Sequence, residues 1–163
     1  SLAAELQEIL TGRGLPVTCV SAFPETCYFL AVVAVKVPFA NVASDIAMAV
    51  WASRCGNTIP YIIVVEDDVD PFNMGEVLHA LVTKCHPYRG IVRLEHASAI
   101  GFEPWASRHE LEYLVGAKAY FDCTWPLDWE PFDVPIKASF TNTKMYPAEV
   151  QQKALAKWRK YGY

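Results

Sequence analysis

Ile62-Ile-Val-Val65 is an unbroken run of β-branched residues, and it enters Glu66-Asp-Asp68 and Asp70 directly. A strand without polar alternation suits a parallel sheet covered on both faces. Beyond the acids helical spacing takes over: Val77, Leu78, Leu81 and Val82 share a stripe. Asp70 or Asn73 can cap that helix, Pro71 suits its first turn, and Glu76 stands three residues after Asn73 as a capping-box partner. The pattern predicts a strand, an acidic loop and a capped helix ending at Lys84, and chemistry in such sheets often gathers where the strands end.

Leu2, Leu6, Ile9 and Leu10 recur at helical spacing before Gly12 and Gly14, which predicts a short first helix. Val17 to Val20 and Tyr28 to Val37 read as strands, and Asn41 as the cap of a helix that places Val42, Ile46, Val50 and Ser53 on one face and ends near Gly56. Ile91 to Leu94 predicts a further strand, Ala97 to Arg108 an irregular stretch, and Ala117 to Cys123 another strand. Pro126, Pro131 and Pro135, interleaved with Trp125, Trp129 and Phe132, predict an extended arm. A last helix starts at Pro147 and aligns Val150, Ala154, Trp158 and Tyr161 before Gly162. The expected class is α/β: a mixed sheet with helical crossovers, a β-β-α-β-α core, a proline- and aromatic-rich arm and a carboxy-terminal helix. Helical crossovers require at least one parallel pair. Residues 1–13 read as a linker helix to an upstream domain, and 14–163 as the domain proper. The arm suits either a subunit contact or packing on its own domain.

With 163 residues, 53% of them hydrophobic, the chain can bury a real core. Its formal charge of −4 and the lack of a basic stripe argue against nucleic acid. Lys36, Asp45 and Arg54 interrupt the most apolar third, so no membrane span is expected. Five cysteines without a C-x-x-C pair argue against a disulfide framework or structural zinc and point to a cytoplasmic setting. Ser1 opens the chain inside an amphipathic segment, as expected of a piece of something longer.

The acids from Glu66 to Asp70 suit loop capping and hydrogen bonding between elements better than a metal, because they lack the alternate spacing of a calcium loop. His79, His86, His96 and His109 have no ligand spacing, and no nucleophile elbow or catalytic triad pattern is present. Arg54 closes a helix before Cys55-Gly-Asn57, where its guanidinium can reach a phosphate or simply complement the helix dipole.

Together with Cys85-His-Pro-Tyr-Arg-Gly90, the strand, acidic loop and helix resemble the carboxy-terminal region of the UbiD-type decarboxylases, which use prenylated flavin mononucleotide. Gly14-Leu-Pro-Val17, Trp51-Ala-Ser-Arg-Cys-Gly-Asn57, Phe121-Asp-Cys-Thr-Trp-Pro126 and Lys157-Trp-Arg-Lys-Tyr-Gly162 follow in the order expected of that region. The resemblance implies the carboxy-terminal, oligomerising domain of a non-oxidative decarboxylase of aromatic or α,β-unsaturated acids, of the phenolic-acid or ferulate and cinnamate kind. It makes Arg54 equivalent to a basic residue on the flavin phosphate and brings Asn57, Thr58 and Pro60 to the substrate pocket. Ile100, Gly101 and Phe102 would wall the aromatic substrate, as a flat slot requires. Lys84 would offer its backbone carbonyl to a potassium ion, which leaves its side chain dispensable. The family's Glu-Arg-Glu network and manganese ligands belong to a central flavin-binding domain without counterpart here, so no catalytic residue is assigned. The implied partners are that central domain, a second copy of the chain in a dimer or larger assembly, and a small aromatic acid. A stand-alone interaction or scaffold domain of the same fold is the alternative.

Overall fold

The structure is a computed structural model, and it describes residues 1–125 and 147–161. In chain order the described elements are α1 (Leu2–Gly12), β1 (Val17–Ala22), β2 (Leu30–Val35), α2 (Val42–Trp51), β3 (Tyr61–Glu66), α3 (Met74–Lys84), β4 (Ile91–Ser98), α4 (Arg108–Tyr113), β5 (Val115–Cys123) and α5 (Ala148–Lys157). The five strands form one sheet in the order β1-β2-β3-β5-β4. β2, β3 and β5 run parallel, and the edge strands β1 and β4 run antiparallel to their neighbours. This is the mixed α/β sheet with helical crossovers and a carboxy-terminal helix that the pattern predicts. The arm from Pro126, including Trp129 and Phe132, lies outside the described residues, as does Gly162.

Alternation along a strand sends neighbouring side chains to opposite faces. Ala31, Val33 and Val35 of β2 and Ile62 and Val64 of β3 join Leu6 and Leu10 of α1 and Val42, Ile46 and Val50 of α2 in one core. Val32, Ala34, Ile63 and Val65 meet Val77 and Ala80 of α3 in a second core on the other face. Each valine or isoleucine removed from water contributes about 1.5–3 kcal/mol. The three layers therefore hold together through two strands with no solvent side.

Local chemistry sets the element ends. Asn73 caps α3, its Oδ1 accepting from the backbone N–H groups of Gly75 and Glu76. Glu76 Oε2 accepts from the N–H of Asp70 at 3.0 Å and its Oε1 from the Asn73 side-chain amide at 3.4 Å, and Asp70 in turn accepts from the N–H of Phe72. Asn41 precedes α2 without a side-chain cap; its φ of 66° shows that it supplies a left-handed bend instead. Gly14, at φ 75°, makes the turn from α1 into β1.

Three expectations change. Leu78 and Val82 are exposed, so the buried stripe of α3 is Val77 and Ala80, with Leu81 partly covered. Ser53 and Arg54 lie in the turn after α2, not in the helix. β4 runs on to Ser98 through a bulge after Leu94, with His96 at φ 57°, and an unforeseen α4 begins at Arg108, where the stretch expected to be irregular ends. A full capping box between Ser107 and Glu110 starts α4.

Gly56 begins the turn that leads into β3, and a Cβ there would stand 2.3 Å from the Val50 carbonyl oxygen. Gly56→Ala is predicted to lower unfolding free energy by about 3 kcal/mol in urea titrations. Gly12→Ala, where nothing lies within 4 Å, should leave it unchanged or raise it by about 0.5 kcal/mol. Equal effects at the two sites would contradict this account of the turn.

Candidate functional site

Polar side chains gather at the two ends of the parallel strands. At the carboxyl end, Glu66 closes β3 and accepts two bonds: Lys84 Nζ lies 2.5 Å from its Oε2, and the Trp125 backbone N–H donates to its Oε1 at 3.1 Å. Lys84 Nζ also lies 3.7 Å from Asp68 Oδ1, and the lysine side chain is only 2% exposed. An ammonium so removed from water is tolerated only because two carboxylates face it. The expectation that the Lys84 side chain is dispensable is thereby corrected: it ties the end of α3 to β3 and to the exit of β5. Beside this cluster a concavity of about 420 Å³ is lined in part by Asp67, Asp68, Asp70 and Glu76, with Thr18 and Cys19 opposite. Among the described residues no group of three or more His, Cys, Asp or Glu side chains is placed to hold a metal ion. Glu66, Asp68, Asp70 and Glu76 are instead engaged in fastening the loop and helix. Cys85 and Cys123 lie close by, and burial pushes both thiols above their ordinary range, which makes them poor nucleophiles.

At the amino end the connection from α2 to β3 is held from several sides. Trp51 Nε1 donates to the Ile59 carbonyl at 2.9 Å, the Ala119 N–H donates to the Pro60 carbonyl at 2.9 Å, and Ser53 Oγ accepts from the Gly56 N–H at 3.0 Å. Lys118 Nζ, reaching across from β5, donates to the Asn57 carbonyl at 2.5 Å and lies 3.3 Å from Asn57 Oδ1. Ser98 Oγ, at the end of β4, donates to the same Oδ1. Lys118 is buried beneath this turn, 5.9 Å from the centre of the Trp51 ring. Burial pushes its pKa down, and the charge of Glu103 opposes that fall. Glu103 is itself buried and accepts from the Ile100 N–H at 3.4 Å.

An aromatic group covers the same end. Phe29 stacks on Phe102 with centroids 6.0 Å apart, and Trp105 meets Phe29 edge-on at 5.4 Å and Tyr61 at 5.5 Å. Phe102 nevertheless remains 71% exposed. Its free face offers a flat apolar surface next to the polar turn.

Arg54, Asn57, Thr58 and Pro60 thus come to the amino end of β3, and Ile100, Gly101 and Phe102 follow β4 to that end. The bond between Ser98 and Asn57 joins the two loops. Arg54, Asn57 and Thr58 are exposed and Pro60 is buried. Lys84 stands apart at the other end of β3, a six-residue strand that spans about 17 Å. The residues brought together therefore do not sit where the parallel strands end, as sheet chemistry alone suggests. Lys118, Ser98, Glu103 and Phe29 were not foreseen. The alternation of Gly116, Lys118 and Tyr120 on the inward face of β5 is the signal that could have singled out the lysine.

The described residues thus form a three-layer α/β domain with one loop-built end. Residues 2–123 match the family described as the 3-octaprenyl-4-hydroxybenzoate carboxy-lyase C-terminal domain. The chain belongs to that family, and its structural neighbours are UbiD-class enzymes. It is 24% identical over 170 residues to the pyrrole-2-carboxylic acid decarboxylase of Pseudomonas aeruginosa, covering 99% of this chain and 34% of that protein. It is 29% identical over 115 residues to the phenolic acid decarboxylase of Bacillus subtilis, covering 66% and 24%. Among solved structures, the closed form of vanillic acid decarboxylase from Sedimentibacter hydroxybenzoicus superposes with a TM-score of 0.76 at 23% identity, over 97% of this chain and 32% of that one. HmfF from Pelotomaculum thermopropionicum, solved in complex with FMN, gives 0.72 at 20% identity over 91% and 32%. The chain thus spans about a third of the length of these relatives. Among the described residues no helix is long and apolar enough to cross a membrane.

Two predictions follow from the charged groups. Lys84→Met should lower unfolding free energy by about 3 kcal/mol in urea titrations, because Glu66 and Asp68 lose their cation; a loss below about 0.5 kcal/mol would show that the cluster is not structural. For Lys118, a depressed folded-state pKa means that the unfolded chain binds more protons between that value and the ordinary 10.5, so this group's contribution to stability rises with pH there. The stability of the native chain relative to Lys118→Met should therefore climb as the pH rises through the depressed value toward 10.5. A relative stability that falls over that range would mean that the buried charge is favoured.

Proposed function

We propose that this chain is the carboxy-terminal domain of a prenylated-FMN-dependent non-oxidative decarboxylase of aromatic or α,β-unsaturated acids. It works joined to a flavin-binding domain, for which the remaining two-thirds of its relatives' length leaves room. One observation carries the reading: Ser98, at the end of β4 just before Ile100–Phe102, is bonded to Asn57 at one end of the sheet, where Phe102 is exposed.

The residues present fit two of the implied groups. The Arg54 guanidinium is exposed and without a partner among the described residues, so it is available for a charge-assisted bond to the flavin phosphate. The Lys84 carbonyl, in the last turn of α3, lies beyond the helical ladder and offers a hard oxygen to potassium. Among the described residues no cluster could ligate manganese. When bound, the prenylated flavin supplies the electron sink for loss of carbon dioxide. This domain contributes walls. Phe102 and Ile100 cover the ring of the acid and exclude water, Gly101 allows close backbone approach, and Asn57, Thr58 and Pro60 border the carboxylate. Val150 and Leu155 of α5 and Trp158 just after it are exposed and suit contact with a second copy.

The test joins the chain to its flavin domain and compares Arg54→Ala with the native enzyme. Flavin retained after gel filtration should fall by about tenfold, as expected for a lost charge-assisted bond, while folding is preserved. The separate chain, supplied with prenylated flavin, manganese and potassium, should neither hold flavin tightly nor release carbon dioxide from phenolic or cinnamic acids. Full retention in Arg54→Ala, or turnover by the separate chain, would overturn the reading.

A further inference from the structure

We propose that Lys118 is a positioning residue that orients the Asn57 amide, so that Nδ2 faces outward as a donor to a carboxylate oxygen of the bound acid. The inference rests on the reading of this end of the sheet as the substrate pocket, and carries it to a named atom.

An ammonium has three donors and no acceptor, so it can meet an amide only at its oxygen. Lys118 Nζ stands 3.3 Å from Asn57 Oδ1 while it donates to the Asn57 carbonyl at 2.5 Å. Ser98 Oγ donates to the same Oδ1. Two donors on one side decide which end of the amide points inward. Nδ2 is left on the far side of a residue that is exposed, whereas Lys118 behind it is only 4% exposed.

Glu103 belongs to the same arrangement. Its charge favours the protonated lysine against burial, and its Oε1 accepts from the N–H of Ile100. A Cβ at Gly116 would stand 3.3 Å from Glu103 Oε2, so the bare glycine lets the carboxylate lie over β5. One pair of buried charges thereby fixes both the Asn57 amide and the loop that carries Phe102. A neutral amide also suits a carboxylate that must leave as uncharged carbon dioxide, because a cation in its place would stabilise the ground state more than the transition state.

The experiment has two parts. In the 163-residue chain, Lys118→Met should shift the Asn57 side-chain NH₂ resonances while the backbone spectrum stays native, and Lys118→Arg, which keeps the donor, should leave them close to native. Unmoved resonances in Lys118→Met would overturn the orienting role. In the chain joined to its flavin domain, assayed with vanillate, ferulate and pyrrole-2-carboxylate, Lys118→Met and Asn57→Leu should each raise KM about tenfold, the loss expected for one such bond. The change in kcat should be small, the double variant should be no worse than either, and Lys118→Arg should restore KM. Phe102→Ala separates the two ideas. If it changes substrate preference while Lys118→Met leaves KM alone, the pocket stands and the Lys118 proposal falls. If neither variant changes turnover, the pocket reading itself fails.

Discussion

The parallel pair β2 and β3 has no face on which it can meet water. Every residue from Ala31 to Val35 and from Ile62 to Val65 is buried, so both strands need a layer above and a layer below before they are stable at all. That requirement recruits α1 and α2 to one side and α3 to the other, and it leaves nowhere within these two strands for a polar group. Polar chemistry is consequently driven to the strand ends, where loops can turn charges toward one another or toward solvent.

The two ends use their charges differently. At the Glu66 end a lysine is surrounded by carboxylates, and the product is mechanical: α3, β3 and the exit of β5 are tied into one unit. At the Asn57 end the buried lysine meets mainly neutral oxygen, a backbone carbonyl and an amide, with Glu103 farther off. That lysine is less well compensated, which is why its pKa is depressed. Such a group costs stability. Exposed Asn57 and the exposed ring of Phe102 stand at the same end of the sheet.

Much of the fold was legible. Ile62 to Val65 identifies itself as an interior strand because β-branched residues without alternation leave no other economical placement. Asn73 announces α3, and the order of motifs announces the family. What was missed depends on distance or on competition. The capping box at Ser107 and Glu110 stands in the sequence, but α4 is only six residues long and has no apolar stripe to draw attention to it. Leu78 and Val82 fit the helical period as well as Val77 does, yet α3 packs through Val77 and Ala80, so periodicity named more residues than one face could bury. The Lys84 side chain reads as dispensable because its partner Glu66 lies 18 residues away, and Lys118 reads as an ordinary strand residue because Asn57 lies 61 residues away. Pairings of that kind are products of the sheet order, which local pattern does not contain.

β4 closes one side of the sheet, and along it only Ala97 is buried. An edge so open invites an additional strand from another molecule. The bulge after Leu94, with His96 in the left-handed region, breaks the run of outward-facing backbone groups between Ile91–Leu94 and the pairing that resumes at Ala97 and Ser98. Arg93 and Glu95 add charge along that short segment. The irregularity in β4 thus interrupts the unbroken edge that strand addition by another molecule requires.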